Sequence, residues 1–351
     1  MRAMSTRISI PRKKTRMTAT SKVVEQVAVR LRAARRVLLL AHVTPDADAL
    51  GSALALGLAL ESLKLEQHIV VSFGDDPMVV PRMLTCLPGA HLLADCHAIA
   101  ADEQPFDVAL SCDVSTLNRL GANQDAFLAA QTSIVVDHHA SNTGFGDINL
   151  IDPSAPANAV LVLQIVDALG VVVTEEIAQA IYAGLITDTG NFKFPATNPA
   201  AHLVAARLLS TGMKHDFIAR KMYDDDDFAA VQLLGRSLAR SVLDREALHG
   251  TGFVWTTVTT EDRAALGVSI DGAERVIDTL RITSEAEVAC VFKEDDHGIW
   301  KISLRSKGAV DVGLVAQTLG GGGHKFAAGA TLGPDVSSAI DDVRRALDAV
   351  R

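Results

Sequence analysis

Residues 36–56 read RVLLLAHVTPDADALGSALAL. The first six, Arg36 to Ala41, make a short continuous apolar run, the pattern of a strand buried on both faces in a parallel sheet. Pro45 keeps the HVTPDAD segment after it out of helix, since its ring fixes φ and removes a backbone donor. From Ala49 to Leu63 alanine and leucine cover nearly every side, which predicts a helix packed deep against that sheet. His42, Asp46 and Asp48 are therefore delivered at the point where a buried strand gives way to a loop. The two aspartates are expected on different sides of one short extended loop.

Working outward, a helical lead-in is expected around Lys22 to Ala34, and further strand-like runs at His68 to Phe73, Val108 to Cys112 and Ser133 to Val136. Helical patterns lie between several of them and continue at Asn158 to Leu169, Glu175 to Leu185 and Ala200 to Leu209. Strand and helix alternate, so the fold class is α/β, with a mostly parallel sheet flanked by helices. The texture changes after Gly250: strand-like pieces FVWTTV, EVACVFKED and GIWKISLRS surround a helical stretch near Asp271 to Leu280. Two more helices are expected, from Asp311 to Leu319 and from about Ser337 to the end. The expected organisation is a basic leader over 1–22, a first domain over 23–209, a linker over 210–236 and a smaller mixed α/β domain over 237–351. The linker contains the acidic run Asp224 to Asp227, read as a solvated connector or hinge.

A chain of 351 residues with 48% apolar and 21% charged residues buries enough surface for two globular domains and lacks the composition of a disordered chain. Of its 33 basic residues, seven fall in residues 1–22 with no acidic one, which leaves 26 against 42 acidic residues, or −16, from residue 23 onward. Such a body does not offer the many phosphate contacts that long duplex nucleic acid demands. The leader reads as disordered, with a nucleic-acid-binding tail as the lesser alternative, and it has no apolar core of a secretory signal. The run from Ala49 to Leu60 is too short to span a bilayer. Four cysteines, at 86, 96, 112 and 290, have neither disulfide-scaffold density nor C-x-x-C spacing, which suits a reduced, cytoplasmic setting.

The residues capable of chemistry gather at strand ends, where open α/β sheets place their sites. The first strand delivers His42, Asp46 and Asp48; the run VALSC delivers Asp113; the run SIVV delivers Asp137, His138 and His139; a later helix ends in Asp188. Any one of these alone would pass for a satisfied loop residue. Together, imidazoles and carboxylates suit Mn, Fe, Zn or Mg, with Mn favoured where oxygen ligands dominate. Two ions around a shared carboxylate would sit about 3.5–4 Å apart, and Asp113, arriving from a neighbouring strand, is the natural bridge. Spacing alone leaves open whether Asp137 is a ligand or a group that orients one.

The stretches AHVTPDADALGSALAL (41–56), LSCDVS (110–115), VVDHHAS (135–141) and YAGLITDTGNF (182–192) resemble the four motifs of the DHH family of phosphoesterases. GGGGHKFAAG (320–329) resembles the signature of the associated DHHA1 domain, and the resemblance covers nearly all of the chain after residue 25. It implies two Mn2+, with Mg2+ or Co2+ as substitutes. His42, Asp46 and Asp113 would hold one ion and Asp48, Asp113, His138 and Asp188 the other. His139 would touch the scissile phosphate or assist the leaving group, and Asp137 would orient a ligand histidine through its other ring nitrogen. In the second domain Arg305, Ser306, Gly321, Gly322, Gly323 and His324 would bind substrate. There the glycines let backbone approach a ligand and Arg305 offers a planar fork for phosphate.

Arg119 lies six residues beyond Asp113 and would reach the site if its loop folds back, the alternative being a surface salt bridge. Asn142 would cap a helix or touch substrate. Cys112 reads as core. His68, His91, His97, His202, His215, His249 and His297 lack ligand spacing and read as surface or packing residues.

Within the family, the GGGH signature argues against the pyrophosphatases, and no room remains for the nucleic-acid module of the single-strand exonucleases. The compact two-domain members degrade short oligoribonucleotides down to pApA and remove the 3'-phosphate of 3'-phosphoadenosine-5'-phosphate (pAp), and some open cyclic di-AMP. The resemblance therefore implies these substrates, no membrane partner and a homodimer. An exonuclease of long single strands, and a metal-dependent nucleotide-binding regulator without catalysis, stand as the alternatives.

Overall fold

The chain enters its first sheet through helix α1 (Ala19–Ala33) and strand β1 (Arg36–Ala41). This computed structural model describes residues 19–102 and 104–350, the side chains of Asp271 and His324 excepted. Of the expected leader only the last four residues fall within that range, and they belong to α1, which begins at Ala19. The rest of it lies outside the described residues.

After β1 come α2 (Ala47–Ser62), β2 (His68–Phe73), α3 (Cys96–Ala101), β3 (Val108–Cys112), α4 (Gln124–Ala129), β4 (Thr132–Asp137) and β5 (Ile148–Ile151). The five strands form one sheet in the order β2-β1-β3-β4-β5, and every pairing is parallel. Val37 to Ala41 are fully buried, as the continuous apolar run requires of a strand covered on both faces. β5 has no counterpart in the sequence reading. Its four residues, INLI, are half-buried at the sheet edge and too short to carry a periodic signal.

Helices α5 (Asn158–Ala168) and α6 (Glu175–Asp188) pack with α2 on one face of this sheet. α2 is buried from Ala47 to Leu60, consistent with its all-round alanine and leucine pattern. Each such leucine contributes roughly 1.5–3 kcal/mol when fully withdrawn from water. α7 (Pro199–Leu209) and α8 (His215–Tyr223) complete this unit, which extends to Asp224. The 210–236 connector is thus helical and is divided between the two units. Ile218 and Met222, four residues apart on one face of α8, enter the first core, whereas Leu233 of α9 (Phe228–Ala239) enters a cluster of the second unit.

The second unit starts at Asp225 and continues as β6 (Val242–Asp244), α10 (Ala247–Gly250), β7 (Phe253–Val258), α11 (Thr260–Leu266), α12 (Glu274–Leu280), β8 (Val288–Glu294) and β9 (Trp300–Ser306). It closes with α13 (Val312–Thr318), β10 (Gly322–His324), β11 (Ala327–Thr331) and α14 (Val336–Ala349). Its sheet has the order β10-β11-β9-β8-β7-β6 and is mixed: β7 and β8 run parallel and the other pairs antiparallel. Among the described residues no helix is long and apolar enough to cross a membrane.

Candidate active site

Because β1, β3 and β4 are parallel neighbours, their carboxyl ends lie along one edge of the sheet. The chain crosses from the β2 side to the β3 side of β1, so the topological switch point lies between β1 and β3, the usual position for a site in this architecture. His42 follows β1, Asp113 follows β3, and His138 and His139 follow β4. Asp188 reaches the same place as the last residue of α6.

Donor atoms of His42, Asp46 and Asp113 all lie within 4.8 Å of one another. The same holds for Asp48, His138 and Asp188, and for Asp113, His138 and His139. Nε2 of His138 is 3.1 Å from Asp188, 3.3 Å from Asp113 and 3.9 Å from Asp48. Every sequence-predicted donor thus falls in one cluster, with Asp113 facing both sides of it.

The two aspartates of the first motif do not share an extended loop, because the helix begins earlier than the periodicity suggested. Asp46 is the N-cap of α2: its Oδ1 accepts from the backbone N–H of Asp48 (3.0 Å) and Ala49 (2.9 Å). That leaves Oδ2 turned toward His42, 3.9 Å from its Nε2. Asp48 stands in the first helical turn, fully buried, and accepts from the N–H groups of Asn158 (2.6 Å) and Ala159 (2.8 Å). Those are orphan donors at the start of α5, whose own N-cap, Ala157, has no side chain to serve them. Gly184 of α6 makes room for this carboxylate, since a Cβ there would lie 2.5 Å from Asp48 Oδ1.

Asp113 adopts φ 60°, a left-handed backbone in which non-glycine residues are strained by about 1–2 kcal/mol. Its N–H donates to the Val136 carbonyl at 2.9 Å. Buried Asn158 braces the same turn, with its amide nitrogen donating to Val136 O (2.9 Å) and its oxygen accepting from Asp113 N (3.3 Å) and Ser52 Oγ (3.0 Å). Sequence reasoning missed Asn158. A polar residue opening an apolar helix reads only as a helix start.

The electrostatics describe a site short of positive charge. Burial pushes the Asp48 carboxyl well above the usual range, and the nearby Asp113 and Asp188 add to the effect. Asp188 keeps 24% of its side-chain surface, yet its crowded carboxyl is desolvated and rises to about 6, with His138 opposing and Asp113 and Asp46 reinforcing the shift. Burial alone would lower His138, but the carboxylates of Asp113 and Asp188, 3.3 and 3.1 Å from its Nε2, raise it far above its ordinary value. For Asp113 burial works upward and is outweighed by the His138 and His139 rings, which hold it low. The surrounding carboxylates thus favour positive charge at this point, from the His138 ring or from a cation in its place. Among the described residues, buried Asp113 Oδ1 has no well-formed hydrogen bond and faces the two imidazoles at 3.3 and 3.4 Å. A set of carboxylate and imidazole donors with such an oxygen at its centre fits divalent cations.

Asp137 lies outside these donor groups. Its Oδ1 accepts from His139 Nδ1 at 2.7 Å and from the backbone N–H of His138 at 2.8 Å, and Oδ2 accepts from Asn142 Nδ2 at 2.6 Å. The histidine it orients is therefore His139, whereas the second nitrogen of His138 rests on the Ala155 carbonyl at 3.1 Å. Pairing with Asp137 and the charge of Asp113 raise His139 against the effect of burial. Asn142 caps none of the described helices: it also donates to Val114 O (3.0 Å) and accepts from Gly144 N (2.8 Å). Arg119 does reach the cluster, with Nη2 2.9 Å from His42 Nδ1 and its carbonyl accepting from Val43 N at 2.8 Å. Cys112 is buried core.

In the second unit Arg305, Ser306, Lys307, Arg281 and Glu287 line a hollow of about 110 Å³. Ser306 has a structural task there: its Oγ lies 2.6 Å from Val310 O and 3.0 Å from Glu287 Oε1 and accepts from Gly308 N. The glycine run also differs from expectation. Gly321 and Gly323 are required by β11, because a Cβ would lie 2.1 Å from Gly329 O at the first and 2.5 Å from Ala328 Cα at the second. Gly322, like Gly320, faces open space. The His324 side chain lies outside the described residues.

The profile of the DHH family, N-terminal domain, matches residues 36–185, and that of the DHHA1 domain matches residues 258–350. The chain is 35% identical to the bifunctional oligoribonuclease and PAP phosphatase NrnA of Thermus thermophilus, over 90% of this chain and 89% of that protein. It is 26% identical to the cyclic-di-AMP phosphodiesterase GdpP of Geobacillus thermodenitrificans over 89% of this chain, which spans 47% of that longer protein. The crystal structure of an exopolyphosphatase-related protein from Bacteroides fragilis has the same fold, with a TM-score of 0.83, 24% identity and coverage of 93% of this chain and 96% of that one.

Proposed function

Since this chain belongs to the DHH family of phosphoesterases, with a DHHA1 domain after the catalytic one, we propose that it hydrolyses short oligoribonucleotides to mononucleotides and converts pAp to AMP and phosphate. The observation that carries this reading is the pair of donor groups meeting at Asp113 on the carboxyl edge of the parallel sheet. The extent of likeness to the Thermus oligoribonuclease supports the choice of substrates, and the likeness to GdpP supports cyclic di-AMP as a further one.

His42, Asp46 and Asp113 would hold one divalent cation and Asp48, Asp113, His138 and Asp188 a second, manganese by the predominance of oxygen donors. Such ions supply an acidified water and a positive clamp for the phosphate. His139, fixed on Asp137 through Nδ1, would present its other ring nitrogen as a donor to a phosphate oxygen or to the departing ester oxygen. Arg119 would add a planar cationic fork beside His42. Within the second unit, Arg305, the backbone at Gly322 and His324 would bind nucleotide, while Ser306 and its glycine neighbours shape that surface. Attack on a phosphate at the 3' side of a nucleotide is common to all three substrates, so one site serves them. We further place the enzyme in the cytoplasm, as a homodimer.

The test is hydrolysis of pAp, pApA, a longer oligomer and cyclic di-AMP by the purified protein with Mn2+, beside Asp113→Asn. Release of AMP from pAp and pApA, lost in the variant, is expected. Full activity in the variant would overturn the two-ion site, and preference for long strands over dinucleotides would overturn the substrate assignment.

A further inference from the structure

At the outer side of the first sheet, where β2 ends, Asp76, Cys96 and His97 bring a carboxylate, a thiol and an imidazole within 4.8 Å of one another. No residue of this group belongs to the donor cluster around Asp113. Cys96 and His97 open α3, and Asp76 arrives from the loop after β2, twenty positions earlier in the chain. That distance in sequence is why His97 carries no ligand spacing. His97 Nε2 and Asp76 Oδ1 already lie 3.1 Å apart. The Cys96 side chain, only 6% exposed, has no hydrogen bond to its sulfur among the described residues.

We propose that Asp76, Cys96 and His97 form a separate binding site for a soft divalent cation, zinc in the first instance. The donor chemistry decides the ion: thiolate with imidazole and carboxylate favours zinc, whereas magnesium and manganese take oxygen donors. Zinc bonds of about 2.0–2.3 Å place tetrahedral ligand atoms roughly 3.3–3.8 Å apart. The present spacing therefore needs only a small closure, and a fourth position stays open to water. As the sulfur–zinc bond forms, the Cys96 thiol releases its proton to solvent.

Position gives such an ion a bearing on the donor cluster. Asp75, next to Asp76, accepts from Thr44 N at 2.6 Å, and Gly74 O accepts from Ala122 N at 3.0 Å. The loop that supplies Asp76 therefore also pins the turn carrying His42 and Asp46 and the segment carrying Arg119.

The experiment is a Co2+ titration of the full chain in the presence of saturating Mg2+, read by the near-ultraviolet sulfur-to-cobalt charge-transfer band. One band is expected, saturating at a single equivalent, abolished in Cys96→Ser, weakened at least tenfold in affinity in Asp76→Asn and His97→Gln, and displaced by Zn2+. Asp113→Asn should keep it, since the two sites share no ligand. Absence of the band in the unaltered chain, or its persistence in Cys96→Ser, overturns the site. Failure of Zn2+ to displace cobalt overturns the assignment to zinc. Far-ultraviolet circular dichroism of each variant establishes that a lost band is not a lost fold.

Discussion

In the five-stranded sheet β1, β3 and β4 are covered on both faces and end in carboxylates and imidazoles that remain buried or half-buried. In the six-stranded sheet β9 alternates: Trp300, Ile302 and Leu304 go into the core while Lys301, Ser303 and Arg305 look outward, and Arg305 and Ser306 end at a small open hollow. The first arrangement withdraws negative charge from water and leaves it in need of a cation. The second leaves Lys301 and Arg305 partly in water, where such charges contribute little to stability. Dependence on metal should therefore be confined to the first unit, and dependence on the phosphate count of the substrate should fall on the second.

The sharpest way to break this contrast is Asp113→Asn. Removing the charge shared by both donor groups should lower turnover on the order of 10³-fold or more, with the circular dichroism of both units unchanged. Next, Asp137→Asn would leave the donor groups intact but free the His139 ring. A loss of about 10–100-fold in kcat with little change in cation affinity is expected, and a loss of cation affinity instead would make Asp137 a ligand after all.

Cation removal should act on one unit alone. Without metal, the raised Asp48 and Asp188 favour their protonated forms in the folded state, so stability falls as pH rises from about 4, the unfolded carboxylate value, to about 6 for Asp188. The raised His138 adds stability that is complete below about 6.5, its unfolded value, and is lost only as pH climbs toward its folded one. Asp113, held low, contributes stability that is complete above about 4, its unfolded value, and is lost only as pH falls below this window. A bound cation needs all four carboxylates ionised, so its stabilising effect should grow with pH. At a hundredfold excess over Kd it amounts to about 2.7 kcal/mol. Thermal melts with and without Mn2+ between about pH 5 and pH 8 test this, and an effect that shrinks with rising pH would contradict it.

Gly184→Ala places a methyl group against Asp48. It should cost about 1–3 kcal/mol of stability and weaken cation binding, whereas an alanine at Gly322, with open space around it, should leave folding intact. Smallest of all, Arg305→Ala should raise KM several-fold at unchanged kcat, more for substrates with several phosphates than for one. An equal loss for every substrate would remove the distinction between the two sheets.

Much of this contrast was legible from the chain. RVLLLA, HIVVSF and VALSC announced strands to the residue, because a strand buried on both faces leaves a continuous apolar run. His42, Asp113 and Asp188 were identifiable because each directly follows such a run or ends a helix, and the remaining donors because they lie a few residues beyond one. Less visible were β5 and the split of the 210–236 segment into α8 and α9, whose short amphipathic pattern is obscured by the Asp224–Asp227 run. Asp48 in a helical turn, the pairing of Asp137 with His139 and the packing demand on Gly321 and Gly323 were not legible for one reason. Each depends on what approaches from elsewhere in the chain.

By itself, then, the sequence determined which side chains end the strands, since side-chain direction in a strand or helix follows a local period that reads off directly. Only the tertiary structure decided what those side chains hold. Asp48 serves the free N–H groups of α5, 110 residues away, and Asn158 braces the strained turn of Asp113. A buried polar group must find a partner, but which partner it finds depends on which helix end packs beside it, and no local pattern records that.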